Sequence, residues 1–419
     1  MSSPPFHFRG TIPASKSILN RLLIIQSFAP DLAIIGDSDA DDVVKMKAGL
    51  KHVMKNEPAD CGAAGTTLRF LSLRASRIAG THHLSGSLRL FERPQSEISR
   101  LLTQLDCEAE IRMQRLTVRG QGWQPPENEV VIDRSVSSQF ASALFLNAWG
   151  LAFDLRIRFV GEAVSQSYFA MTIELLRRSG MKIEKLEQVA GDAEGDTVYV
   201  IGAKSEVTAR SLLAEPDASS AFAVAATGVA RSGIVEIENW PEESLQPDAV
   251  YPALLKKMGC DSTLIENKGQ RTLRITRAVD SKLMALDYDM RDAPDLFPVL
   301  AVLCSVAEGR SRLFNAPQLA HKESNRIGKI AELIKNLGRK VKVLSDGLEI
   351  EGRADSDFGP RFRYSTDHDH RLAMAAAVAQ AAGADIEILE PKVVDKSFPG
   401  FWQAIETASG TAAGGGVPT

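Results

Sequence analysis

The chain has little that would take it to a membrane. No stretch of its 419 residues reaches the roughly eighteen apolar side chains that a helix needs to cross a bilayer. The opening MSSPPFHFRGTIPASK lacks the apolar core of a signal peptide. Cysteine is scarce: four residues, at 61, 107, 260 and 304, with no CxxC pair, which excludes a disulfide scaffold and a thiolate zinc site. They read as buried thiols in a reducing cytoplasm. Histidine is equally thin, seven residues that include His82 with His83 and His368 with His370, and no HExxH or Cys/His grouping has metal-binding spacing. A basic excess is also missing. Lys plus Arg is 49 against 53 for Asp plus Glu, a net charge of −4, and no basic stripe is interleaved with aromatics. A nucleic-acid-binding module is disfavoured.

What is present describes a soluble globular protein. Hydrophobic residues are 44% and charged residues 24%, enough for a sizeable core, and the length predicts two or three domains. Helix endings recur along the chain, as LLTQLD to Asp106, LLRRSG to Gly180, LLKKMG to Gly259 and LIKNLG to Gly338, at spacings of 74, 79 and 79 residues. Each reads as the close of an amphipathic helix, three of them with the glycine stop. Each is followed by a charged, strand-like run: CEAEIRM, MKIEKLE, CDSTLIE and RKVKVLS.

A second series runs between these. Small or polar residues lead into apolar helices at 13–25, 63–73, 135–146, 217–228, 292–303 and 367–378, six starts with an average unit near 70 residues. A period of that size signals repeated α/β modules rather than a solenoid. Capping accounts for Ser and Asp at helix starts. It does not account for Lys16, Arg21, Arg69, Gln139, Asp295, His370 and Arg371 in those same loops. Equivalent ends of repeated units face one way, so their helix N-termini would converge on one region and favour a phosphate or carboxylate there.

Single motifs are weak. HKESNR (321–326) is expected to open the helix that ends at Gly338, with Lys322 and Arg326 on one face; alone it reads as a solvated helix start. FERP (91–94) sets Arg93 beside Pro94, a residue suited to a first helical position. SVSSQF (135–140) supplies the neutral donors Ser137, Ser138 and Gln139, and DKSFPGFW (395–402) puts Lys396 before an aromatic cluster.

Their joint order is specific. PASKSxxNR, AGTTxR, FERP, SVSSQF, VSxSY, DASS, APD, KESxR, DHR and KSFPGFW, taken together from about residue 10 to about 405, closely resemble the 5-enolpyruvylshikimate-3-phosphate synthase family. The resemblance implies an α/β fold of two domains, each of three repeated α/β units, with helix N-termini facing the interdomain cleft. The expected domains are 14–214 and 1–13 plus 215–408, followed by a disordered Gly-rich tail, 409–419. It implies transfer of the enolpyruvyl group of phosphoenolpyruvate to the 5-hydroxyl of shikimate 3-phosphate, without metal or organic cofactor.

Carried over residue by residue, it implies that Lys16, Gly65, Arg93, Gln139, Arg326, Arg371 and Lys396 surround phosphoenolpyruvate. Lys16, Ser17, Arg21, Ser137, Ser138, Gln139, Ser165, Tyr168, Asp295, Gln318 and Lys322 would hold shikimate 3-phosphate. Asp295 and Glu323 would move protons, supported by Lys16 and His370. A cytoplasmic monomer with small-molecule partners only, neither nucleic acid nor membrane, is the family expectation.

The sequence also departs from the family. The usual Asn-Ala-Gly-Thr reads Ala63-Ala64-Gly65-Thr66, Phe70 stands where many members have Pro, and S-K-P-Y reads Ser165-Gln166-Ser167-Tyr168. Gln318 takes the place of an expected Asn, and Asn325 that of an acidic residue. Lys16 to Gly65 is 49 residues against 73 from Gly65 to Ser138, so about a strand pair is missing between Leu50 and Cys61. Gly65, which crowds the pocket for the phosphoenolpyruvate mimic glyphosate, is retained. Two rivals remain. A sister enolpyruvyl transferase for UDP-N-acetylglucosamine would need a reactive Cys in a lid. A non-catalytic anion binder would have no need of Glu323 and Asp295.

Overall fold

In the computed structural model, which describes residues 6–162, 164–186 and 197–410, the chain divides into two compact units. One is Lys16–Ala214, and the other is the chain on either side of it, so the division falls at Lys16 rather than at residue 14. Among the described residues no helix is long and apolar enough to cross a membrane. The expected tail lies outside the described residues from 411 onward. Ser409, expected in that tail, is instead held by Arg231, whose Nη1 donates to its Oγ at 2.8 Å.

Both units repeat one pattern. A strand leads through a short loop into a helix, and the helix returns to a second strand parallel to the first. A further helical segment and an antiparallel hairpin follow. In the Lys16–Ala214 unit this gives a sheet ordered Ala59–Asp60, Gly80–Ser85, Arg115–Gly120, Glu108–Arg112 and another ordered Val130–Asp133, Leu155–Val160, Thr197–Ile201, Ile183–Leu186. The other unit holds His7–Gly10, Ile234–Glu238, Gln270–Thr276, Asp261–Asn267 and then Asp287–Asp289, Gly309–Phe314, Leu348–Gly352, Lys340–Val343.

In each unit the third repeat keeps only its parallel pair, Ser211–Leu213 with Ala33–Ile35 and Phe362–Tyr364 with Ile386–Ile388. After the Asp41–Met54 helix the chain turns directly into Ala59–Asp60, so no hairpin occupies the stretch where the spacing is short.

The repeats exchange partners where the chain crosses between units. His7–Gly10 pairs with Ile234–Ile237, and Ser211–Leu213 pairs with Ala33–Ile35. Each crossing strand is thus completed by a segment about 180 to 230 residues away.

Local chemistry sets the helix limits. Gly180, Gly259 and Gly338 have φ of 107°, 91° and 71°, left-handed values that glycine adopts without a Cβ clash, and each ends its helix. At the other ends Ser137, Asp217, Asn325 and Asp369 accept from backbone N–H groups two or three residues on. The Ala218–Ala230 helix, ASSAFAVAATGVA, is apolar on all sides and correspondingly buried within its unit.

Candidate active site

Each unit carries a cluster of the expected residues, gathered at helix starts. In the Lys16–Ala214 unit, Lys16 opens the Lys16–Gln26 helix and donates Nζ to Asp42 Oδ2 at 2.9 Å, both largely buried. Gly65 opens the Gly65–Ser76 helix beneath the Arg93 guanidinium. A Cβ built on Gly65 would lie 2.8 Å from Arg93 Nη1, so a side chain there would displace the guanidinium. Arg69, one turn along, is a hub. Its Nε donates to Gln95 Oε1 (3.1 Å), Nη1 to Gln139 Oε1 (2.7 Å) and Ser137 Oγ (3.3 Å), and Nη2 to Pro94 O (3.0 Å). The Phe140 ring lies 4.5 Å below it. Gln139 donates in turn to Thr66 Oγ1 at 3.1 Å. Arg69 thereby orients Ser137 and Gln139, ties the SVSSQF loop to the AGTT loop, and holds its own charge over an aromatic face.

Ser137 caps the Ser138–Leu146 helix, and Ser165, at φ 52°, precedes the Gln166–Ser179 helix that carries Tyr168. Arg21 is buried. Nε donates to Thr172 Oγ1 (2.7 Å), Nη1 to Ser17 O (2.7 Å) and Nη2 to Tyr168 O (3.3 Å). Burial without a carboxylate partner lowers its pKa to about 10. It fixes the backbone of Ser17 and Tyr168, two of the residues expected with it to hold shikimate 3-phosphate.

In the other unit the centre is Arg326, 1% exposed. Its guanidinium is shared among three carboxylates: Nη1 donates to Asp295 Oδ1 (2.9 Å), Nη2 to Glu323 Oε2 (2.9 Å), and Nε to Asp369 Oδ2 (2.8 Å). Arg371 donates Nη2 to Asp295 Oδ2 at 2.8 Å and Nη1 to Asp295 O at 3.0 Å. Lys396 Nζ stands 3.5 Å from Glu323 Oε1. His370 is buried with Nδ1 3.8 Å from Asp369 Oδ1, so it backs the cluster rather than lining its open side.

The electrostatics are close to balanced. Burial pushes the Asp295 carboxyl up, but Arg371, Lys322 and Arg326 outweigh it and hold the group well below the usual carboxylate range. Burial also works against the Arg326 charge, yet Asp369, Glu323 and Asp295 raise its pKa beyond the ordinary value. Asp369 is wholly buried beneath the guanidinium, whereas Asp295 and Glu323 keep 20% and 18% side-chain exposure, which makes them the two that a ligand can reach.

Two sequence expectations change, the helical placement of Lys322 with Glu323 and the helix-opening position of Pro94. Lys322 and Glu323 do not belong to a helix. Asn325 Oδ1 caps Gly328 N at 3.0 Å, the helix spans Arg326–Asn336, and Lys322 is extended (φ −85°, ψ −154°). Lys322 and Arg326 therefore do not share a helical face. Asp295 lies on a single 3-10 turn, Pro294–Leu296, ahead of the Phe297–Ser305 helix, and Gln318 on another, Pro317–His321, where both precede their main helices. Pro94 stands between two helices, Leu88–Glu92 and Ser96–Thr103, and opens neither.

Two carboxylates were missed, Asp42 and Asp369. Both sit at helix starts, where an Asp reads as a cap. The one signal available was an Asp within reach of a predicted anion-binding Lys or Arg.

A model of the EPSP synthase (3-phosphoshikimate 1-carboxyvinyltransferase) family matches residues 31–405. A 3-phosphoshikimate 1-carboxyvinyltransferase of Syntrophobacter fumaroxidans is 29% identical over 94% of this chain and 96% of its own. Its counterpart in Bordetella avium is 30% identical over 94% of each. Among solved structures, EPSP synthase from Acinetobacter baumannii superimposes with a TM-score of 0.72 at 20% identity, covering 97% of this chain and 96% of that one. The enolpyruvyl transferase NikO from Streptomyces tendae gives 0.67 at 14%, covering 97% and 96%. On the family match across nearly the whole chain and the relatives that accompany it, the chain belongs to the EPSP synthase family.

Proposed function

We propose that the chain catalyses transfer of the enolpyruvyl group from phosphoenolpyruvate to the 5-hydroxyl of shikimate 3-phosphate, with release of phosphate, as a step of the shikimate pathway to aromatic amino acids. The 5-hydroxyl oxygen attacks C2 of phosphoenolpyruvate while C3 takes up a proton. The tetrahedral intermediate then loses phosphate from C2 and a proton from C3, which restores the double bond. Two proton-moving groups and strong anion binding are the requirements.

The observation that carries this reading is the Arg326 guanidinium joining Asp295 and Glu323, the two reachable carboxylates, beside Arg371 and Lys396. In one unit Arg326, Arg371 and Lys396 offer charge suited to the phosphate and carboxylate of phosphoenolpyruvate; in the other Lys16, Arg93 and Gln139 do so beside Gly65. Without substrate the first three are spent on Asp295 and Glu323, and Asp295 is a weak base. An incoming anion competes for Arg371 and Arg326, so the two carboxylates lose compensation and become more basic as substrate arrives. Asp295 then accepts the hydroxyl proton and Glu323 serves C3. Ser17, Ser137, Ser138, Ser165 and Tyr168 orient shikimate 3-phosphate, with Arg21 holding two of them, and Gln318 and Lys322 complete the set.

Cys61 argues against the UDP-N-acetylglucosamine reading. It is buried, and burial pushes its thiol up to about 12, the reverse of a reactive thiolate. All four cysteines are free and buried, which suits a cytoplasmic protein, and a monomer belongs to the same reading.

The deciding experiment is phosphate release from phosphoenolpyruvate with shikimate 3-phosphate as acceptor, against UDP-N-acetylglucosamine. Release is expected only with the first. Release only with the second, or none from folded protein, overturns the assignment.

A further inference from the structure

A small open cleft lies in the Lys16–Ala214 unit where the Ser138–Leu146 and Gln166–Ser179 helices begin. Its polar wall is Arg134, Ser138, Gln166 and Lys185, and its floor includes Phe159 and Tyr199. The floor rings belong to a packed aromatic cluster: Phe159 and Tyr199 are tilted with centroids 5.4 Å apart, and both meet Phe169 edge-on. Both helix starts direct backbone N–H groups and the positive ends of their dipoles toward this wall.

We infer that Arg134 is a further ligand for the phosphate of the acceptor substrate and sets the preference for a phosphorylated acceptor; the inference rests on the function proposed above. The first reason is charge. The phosphate is a dianion near neutrality, and the residues expected to hold it in this unit are hydroxyl-bearing, Ser137, Ser138, Ser165 and Tyr168. The two cations of that group in this unit are engaged elsewhere: Lys16 donates to Asp42 Oδ2 at 2.9 Å, and Arg21 is turned inward onto Thr172, Ser17 O and Tyr168 O. Neutral donors bind a dianion far more weakly than donors that include a guanidinium.

The second reason is placement. Arg134 shares the cleft wall with Ser138. Its backbone joins the two loops that lead into the two helices: its N–H donates to Val160 O at 3.0 Å, and its carbonyl accepts from Val164 N at 3.3 Å. Nε donates to Gly161 O at 2.8 Å, which fixes the side chain on the same loop. A cation held in this way adds little ordering cost when the phosphate arrives.

The test uses Arg134→Ala and Arg134→Lys in the full chain, with steady-state kinetics on shikimate 3-phosphate, phosphoenolpyruvate and unphosphorylated shikimate. In Arg134→Ala, KM for shikimate 3-phosphate should rise about 10- to 100-fold, the loss expected for one charge-assisted contact. kcat and KM for phosphoenolpyruvate should stay within about threefold of wild type. The preference for shikimate 3-phosphate over shikimate should shrink by the same factor as KM rises. Arg134→Lys keeps the charge but loses the fork to Gly161 O, and should restore most of the affinity.

An unchanged KM for shikimate 3-phosphate in an Arg134→Ala protein that turns over normally overturns the inference alone. So does equal damage in both variants to kcat and to both KM values, since that describes a loop brace. Failure of the wild-type protein to use shikimate 3-phosphate overturns the parent reading, and this inference with it.

Discussion

At the scale of single residues, the site in the second unit works by over-committing one guanidinium. Arg326 has three carboxylates around it, and only Asp369 is fully enclosed. Asp369 is therefore the structural partner, and the proposed proton transfers fall to Asp295 and Glu323. Breaking a buried pair leaves an uncompensated charge, at a cost of about 3–5 kcal/mol. Asp369→Asn should lose stability of that order in chemical denaturation, and a loss below about 1 kcal/mol would show that Arg326 finds its compensation elsewhere. Glu323→Gln removes a proton carrier whose carbonyl can still accept from Arg326. It should keep the fold and lose turnover by about 10²- to 10⁴-fold, and near-normal kcat would remove Glu323 from the proton path.

Asp295 gives a pH prediction. Its folded pKa is depressed below the unfolded value of about 3.9, so the stability it contributes is present above that value and lost as pH falls toward the folded one. The stability gap between wild type and Asp295→Asn should be flat above about pH 5 and narrow only below about pH 4. A gap that changes between pH 6 and 8 would mean that another group titrates there.

At the scale of elements, function depends on where helices start. Lys16, Gly65, Ser138 and His370 are each the first residue of a helix. These starts were legible in the sequence because small-polar loops before apolar runs, and the glycine stops at 180, 259 and 338, are local signals. Less legible was what lies between start and stop. Lys322 was placed on a helix because spacing alone does not show that Asn325 caps the chain one residue before Arg326. Asp42 and Asp369 were passed over because an Asp that caps and an Asp that holds a cation look identical until the partner, 26 or 43 residues away, is in place. The motif series names candidate residues but carries no information on these pairings.

Gly65 tests the element directly. A methyl group there meets the far end of the Arg93 side chain at 2.8–3.0 Å, so the guanidinium must shift rather than the helix. Gly65→Ala should leave thermal stability near wild type and raise KM for phosphoenolpyruvate by about tenfold, roughly 1.4 kcal/mol of lost binding. An equal rise in KM for shikimate 3-phosphate would show that the helix start itself had moved.

At the scale of the whole molecule, six repeats are closed by two exchanged strands, and the consequence is uneven. The unit formed by both ends of the chain depends on its first strand: Phe6 and Phe8 are buried, and His7–Gly10 supplies an outer strand of the sheet containing Ile234–Glu238. Phe6 is also packed tightly enough that a Cβ on Gly228 or Gly233 would approach it to 3.1 or 2.8 Å. The exchange could not be read from periodicity, because a strand that pairs with its own repeat and one that pairs about 227 residues away have the same local pattern.

Phe6→Ala removes a fully buried ring and should cost about 3–5 kcal/mol. The loss should be confined to one unit, since that strand pairs with Ile234–Ile237 and packs on the Ala218–Ala230 and Phe401–Ala408 helices, all within the same unit. In hydrogen exchange, amides of 234–238 and 270–276 should lose protection while those of 80–85 and 115–120 keep theirs. Uniform loss across both sheets would mean that the two units unfold as one, and that the strand exchange couples their stabilities rather than only completing one of them.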